Sequence, residues 1–164
     1  MKAFMAKMLG GARSPPRVGL TEILWAAVGS FLGIGILAFI DYRILSDSDM
    51  VMVLGSFGAS AVLIYGAIKS PLSQPRNLVG GHIISAIIGV TAARLLQGQM
   101  WLAAPLAVAM AIAVMHVTKT LHPPGGATAL IAVVGSAKIR ALGYLTLSCR
   151  WDWGRLLFLQ LHSS

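Results

Sequence analysis

This sequence predicts an all-α fold, a polytopic membrane helical bundle, on three observations. Of its 164 residues, 57% are hydrophobic and only 11% charged, and with a mean hydropathy of +0.79 that is not the composition of a water-soluble core and shell. Uncharged stretches recur at 23–40, 50–68, 77–93, 95–118 and 120–137, each near the roughly 17 to 25 residues that cross a hydrocarbon core; the first four read as full spans, and the fifth as a short helix broken by Pro and Gly. The cations fall between those stretches with alternating density. With a cytoplasmic N-terminus, Lys2, Lys7, Arg13, Arg17, Lys69, Arg76 and Lys119 lie inside, and Arg43 and Arg94 lie outside, which is the positive-inside pattern.

Residues 1–20 form a basic segment with Pro15 and Pro16. No short apolar core ending in a small-residue cleavage site follows, so the expectation is a retained cytoplasmic segment, not a signal peptide. The first span carries Gly29, Gly33 and Gly35, and the third repeats the device with Gly81, Ser85 and Gly89. Small residues on successive turns let membrane helices approach closely, so these faces read as packing seams. Between the first two spans, Asp41, Asp47 and Asp49 read as an acidic outer loop. Trp25 and Trp101 stand near span ends, where interfacial anchors belong.

The second span opens on Gly55-Ser56-Phe57-Gly58-Ala59-Ser60 and the last apolar stretch on Gly125-Gly126-Ala127-Thr128-Ala129. Aligned without gaps, residues 58–63 and 126–131 both read Gly-Ala-hydroxyl-Ala-aliphatic-aliphatic. In the topology above the two copies run in opposite directions, as an inverted repeat would leave them, and interrupted helices in such repeats frame transporter sites. The match is short, and common ancestry and chance similarity both account for it.

After the second span, Ser70-Pro71-Leu72-Ser73-Gln74-Pro75 is a rigid turn that presents Arg76 and Asn77 at the mouth of the third helix, with His82 one turn further in. Arg76 there serves either to meet an anion or to anchor the helix against lipid phosphate. The fourth span is followed by a helix-breaking knot, His122-Pro123-Pro124-Gly125-Gly126. In lipid, a broken helix survives only where protein or a water-lined cavity satisfies the freed peptide groups, which makes the knot the first place to look for function. A full crossing of the stretch after it would put Lys138 and Arg140 outside, whereas re-entry puts them inside, in better accord with the charge rule; re-entry is the expectation.

Several chemistries are disfavoured. His116 and His122 stand six residues apart, so they do not share one face of a continuous helix as zinc ligands at i and i+4 do. Paired acids for hydrolysis, a nucleophile elbow and a phosphate-cradling loop are missing from the sequence, so the expectation is no enzyme, no catalytic residue, no metal and no cofactor. The net charge of +8 is spread between spans and not gathered on one soluble face, which argues against nucleic acid as a partner. The single cysteine, Cys149, excludes an intrachain disulfide.

Taken together, the blocks at 55–60, 70–77, 80–82 (Gly80-Gly81-His82) and 120–129 resemble the HPP family of small integral membrane proteins, named for the tripeptide that stands here at 122–124. With Arg13-Ser14-Pro15-Pro16 the resemblance covers roughly residues 13–147, so 21–147 reads as an HPP-type transmembrane domain. Plastid and cyanobacterial members have been linked to nitrite transport, so the resemblance implies a small-anion transporter, in a bacterial inner membrane and with the lipid bilayer, a small inorganic anion and further copies of itself as partners. Physics makes this reasonable, because peptide N–H groups at a helix start carry about half a positive charge and bind anions. The expected site is Ser56, Gly58, Ser60, Arg76, Asn77, His82, His122, Pro123, Pro124, Gly125, Gly126 and Thr128. The glycines would admit the anion to the backbone, the hydroxyls would donate, and Arg76 and the histidines would supply charge or a proton. The competing reading is a non-transporting membrane module for sensing or for assembly with a partner protein.

Beyond Leu147 the pattern fails, because Arg150, Asp152 and Arg155 interrupt the expected last apolar helix. Trp151-Asp152-Trp153-Gly154 is encoded by TGG GAY TGG GGN, which read one nucleotide earlier gives an aliphatic residue or Met, then Gly-Leu-Gly. Residues 148–164 therefore read as a divergent, frameshifted tail, the other account being an interfacial amphipathic helix.

Overall fold

A computed structural model describes residues 18–44 and 47–145. The basic N-terminal segment up to residue 17 and the tail after residue 145, with the frameshift expected there, lie outside the described residues. Among the described residues all regular structure is helical: α1 (Leu20–Ile44), α2 (Asp47–Gly66), a 3-10 turn (Pro71–Ser73), α3 (Pro75–Leu95), α4 (Met100–Val117), α5 (Pro124–Val134), α6 (Ala137–Leu142) and a second 3-10 turn (Gly143–Leu145).

The chain is an integral membrane protein built as a helical bundle. Among the described residues, three helical segments are long and apolar enough to cross a membrane: Leu20–Phe39 within α1, Pro75–Leu95 and Met100–Val117. The sequence predicts a fourth full span over 50–68, but the apolar part of α2 is only Met52–Gly66. The reason lies in its first turn. Asp49 is not a loop residue: it sits inside α2, 1% exposed, and its carboxylate accepts the Ser136 N–H at 2.9 Å. That bond satisfies a backbone donor at the start of α6, a cap made by a residue far away in sequence.

Small residues set the packing at the centre. Gly81, Ser85 and Gly89 of α3 are all buried, as the seam reading expects. A Cβ on Gly89 would stand 2.5 Å from the Ala129 carbonyl, and one on Gly81 would stand 2.6 Å from His122 Cβ. Across from them α4 offers Ala103, Ala107, Ala111 and Met115, four residues apart and at most 1% exposed. In α1 only part of the expected seam is used: Gly29 lies under the Tyr65 ring, while Gly35 has nothing within 4 Å.

These contacts fix the direction of α5. Gly81 meets His122, and further along α3 Gly89 meets Ala129 and Ala132. Then Arg94, at the end of α3, lines the same cleft as Val133 and Arg140. So α5 runs alongside α3 in the same direction, and α6 lies at the Arg94 end of the bundle. The re-entry expected from the charge rule is overturned, because packing along the glycine seam outweighs the preference of two cations near the chain's last helices for one face. At about 1.5 Å per residue, the 11 residues of α5 span roughly 16 Å, so the knot that precedes it lies inside the bundle, beside the first turns of α3.

Candidate functional site

The knot is built by the end of α4. Lys119 takes a left-handed conformation with φ of 56°, so that Lys119 N–H and Thr120 N–H turn back onto the carbonyls of His116 and Met115 at 3.2 and 2.9 Å. This is the usual way a helix stops. The chain then folds inward over α3, where Arg76 donates to the Thr118 carbonyl (2.9 Å) and Asn77 to the Leu121 carbonyl (2.8 Å). Pro124 begins α5 without needing a donor, and Ser56 donates to its carbonyl at 3.1 Å. The peptide groups that the break frees are thus satisfied by side chains of neighbouring helices.

At the crossing of α2, α3 and α5 five of the expected residues meet in one buried network. Ser60 Oγ stands 3.0 Å from His82 Nε2 and 3.1 Å from His122 Nε2. His82 Nδ1 lies 2.7 Å from Thr128 Oγ1, and Thr128 Oγ1 lies 3.1 Å from Ser56 Oγ. His122 Nδ1 reaches the Leu72 carbonyl at 2.9 Å. The two imidazoles meet edge to face with centroids 5.1 Å apart, and Phe57 stacks on His82 at 5.7 Å. Every member is sealed: exposure is 0% for His122, 1% for Ser56 and Ser60, 3% for Thr128 and 8% for His82.

This framework of aligned motifs matches a known profile, described as HPP, transmembrane region, over residues 15–161. The chain belongs to the HPP transmembrane family. Two curated relatives from Dictyostelium discoideum, each named only as a transmembrane protein, are 51% identical over 144 residues and 47% identical over 137 residues. The alignments cover 86% and 80% of this chain and 46% and 48% of those proteins, so the chain spans about half the length of the curated relatives it matches. No solved structure matches it.

The one hydrogen of Ser60 has three acceptors within reach, His82 Nε2, His122 Nε2 and the Ser56 carbonyl at 3.2 Å, so the network admits more than one arrangement of protons. A carbonyl only accepts, so His122 Nδ1 must carry a proton for Leu72. In one arrangement His122 is neutral, its Nε2 accepts, and the Ser60 hydrogen points to it and not to the Ser56 carbonyl. Ser60 oxygen must therefore accept from His82 Nε2–H, which leaves His82 Nδ1 to accept from the Thr128 hydroxyl. Ser56 in turn donates to Thr128 in place of the Pro124 carbonyl. One added proton is accommodated by reversing the row: His122 Nε2–H donates to Ser60, Ser60 to His82 Nε2, His82 Nδ1–H to Thr128, Thr128 to Ser56, and Ser56 to the Pro124 carbonyl. The same atoms hold either zero or one excess proton, with the Ser56–Pro124 bond made only when the extra proton is present and the Ser60–Ser56 carbonyl bond given up in both cases.

Seven of the expected residues are not part of this network. Arg76 is exposed and, with Asn77, staples the α4–α5 connection to α3, so it is positioned by a backbone carbonyl and not aimed at the network. Pro123 is exposed; Pro124 enters only through its carbonyl. Gly58 has nothing within 4 Å of a Cβ, and Gly126 faces Val108 of α4. Gly125 makes room for α3, not for a ligand: a Cβ there would meet Ser85 Oγ at 2.8 Å and the Gly81 carbonyl at 3.0 Å. Nor are the α5 peptide donors open to an anion, since the Gly125 and Gly126 N–H groups already bond the His122 and Pro123 carbonyls at 2.9 and 3.0 Å. A tight turn at the knot consumes the dipole that the sequence reading assigns to an anion. Leu72 and Phe57 are the contributors to the network that sequence reasoning missed, and at the other end of the bundle it missed the burial of Asp49. For Asp49 a signal existed, since Asp followed by an apolar run is a helix-start pattern; a backbone carbonyl such as that of Leu72 leaves none.

Proposed function

We propose that the protein is a proton-coupled permease for a small anion of the nitrite class, with the Ser/His/Thr network as its transport centre and with the sealed arrangement as its closed conformation. The observation that carries the reading is the shared Ser60 hydroxyl, which links two imidazoles in a row able to hold or release one proton. Opening requires α2 and α5 to part, and these are the helices that carry the two oppositely directed motifs. Ser60 and Thr128, equivalent in those motifs, grip the two nitrogens of His82 from either side, as a site at the interface of inverted halves requires. Separation would free the hydroxyls and one protonated imidazole for the anion, so anion and proton enter together. A bacterial inner membrane, a cytoplasmic N-terminus and association into a homo-oligomer belong to the same proposal; the cation distribution supports the orientation.

Uptake of nitrite into proteoliposomes under an imposed pH gradient tests it. Gradient-driven uptake that His82→Gln abolishes is the expected result, because glutamine keeps hydrogen bonds but carries no exchangeable charge. Absence of gradient-dependent uptake in the unaltered protein overturns it. The second reading, a non-transporting module for sensing or assembly, is favoured by the sealing of the network itself, which then acts as a polar clasp between α2, α3 and α5. On that reading His82→Gln changes stability and no flux is seen in either protein.

A further inference from the structure

At the opposite end of α3 from the knot, a half-open cleft of about 640 Å³ lies between the α3–α4 turn, α5 and α6. Apolar residues such as Val90, Ala103 and Val133 line it, together with two arginines, Arg94 and Arg140, and with Gln97. Among the described residues, no carboxylate lines it. Arg94 is exposed, yet it is held in place. Its Cζ lies 4.8 Å from the centre of the Tyr144 ring, and the Tyr144 hydroxyl is fixed 3.0 Å from Thr91 Oγ1, one turn earlier on α3. Gly143, at φ of 49°, completes the seat: any Cβ there would stand 2.6 Å from Arg94 Nη2, so the absence of a side chain lets the guanidinium lie against the backbone.

From this we infer a binding site for a phosphate-type oxyanion carried on an amphipathic molecule, an anionic phospholipid headgroup with the upper part of its chains. Two guanidiniums match oxyanions in charge and in fork geometry. The volume falls in the range of pockets for sizeable organic ligands, roughly 300 to 1,000 Å³, and far exceeds what a bare inorganic ion fills. The apolar lining gives the chains a place that a soluble anion would leave empty. The location is also right, because a turn between two membrane-crossing helices lies at headgroup level. The inference does not depend on the transport reading.

The test is thermal unfolding of the full chain in dodecyl maltoside, titrated with short-chain phosphatidylglycerol, with phosphatidylcholine of the same chains, and with inorganic phosphate. Phosphatidylglycerol is expected to raise the transition temperature more than phosphatidylcholine does, and the double substitution R94Q/R140Q to weaken that effect roughly thirtyfold, as loss of two basic groups near anionic lipid implies. R76Q, at the other end of α3, should respond as the unaltered protein does, which separates the site from general loss of charge. Stabilisation by inorganic phosphate that equals the lipid's and vanishes in R94Q/R140Q would keep the oxyanion site and assign it a soluble source. Equal effects of the two lipids, or an unchanged phosphatidylglycerol response in R94Q/R140Q, would overturn the inference.

Discussion

At Ser60 one hydroxyl serves two imidazoles. Its removal leaves two buried ring nitrogens short of a partner, and an unsatisfied buried polar group costs about 1–3 kcal/mol. Ser60→Ala should therefore lower stability by about that amount, measured by reversible unfolding in mixed micelles, even though it deletes only one oxygen atom. Ser73→Ala removes a hydroxyl bonded to the Leu63 and Ala67 carbonyls at 2.8 and 2.7 Å and should cost less, because a carbonyl that loses one of two partners is not orphaned. An equal or smaller loss at Ser60 would count against the shared-hydroxyl bonding. Residue identity named these five among twelve residues expected to hold an anion, without pairing them with one another. It did not foretell the staple formed by Arg76 and Asn77, because their partners are backbone carbonyls at Thr118 and Leu121, whose positions exist only after α4 has turned.

Among the elements, α3 and α5 show what was legible and what was not. The existence of α3 and its glycine seam follow from composition and spacing, and so does the break before α5. What the seam packs against does not follow, because a small-residue stripe fits any partner of similar shape. The two glycines of the knot separate the roles. Gly125→Ala should destabilise by about 1–3 kcal/mol, the usual range for forcing atoms into a filled core, as its Cβ would press on the Gly81 carbonyl and Ser85. Gly126→Ala should be neutral or stabilising by up to about 1 kcal/mol, the helix-propensity gain, since its nearest obstacle is Val108 Cγ1 at 3.9 Å. Comparable losses at both positions would contradict the packing of α5 on α3.

For the whole molecule, the charge rule misjudged the last helices. Arg140 shares a cleft with Arg94, while Lys119 and Arg76 flank the knot end. With Cys149 replaced by Ser, single cysteines placed at 94 and 140 should therefore react with an impermeant maleimide from the same side of a sealed vesicle, and cysteines at 76 and 119 from the other; reaction of 140 together with 119 would restore the re-entrant path. Cation counts predict orientation well for the early spans, but a pair of cations near the end of the chain is a small electrostatic bias beside the fit of one helix along another. The first helix differs from the rest. Among the described residues, little of Leu20–Phe39 in α1 is buried, and its chief contact is along α2, where Gly29 lies under the Tyr65 ring. Because lipid is as good a solvent for those side chains as another helix would be, peeling α1 from its neighbour sacrifices little, so mild detergent should dissolve that attachment first while the histidine-bearing centre stays whole behind it.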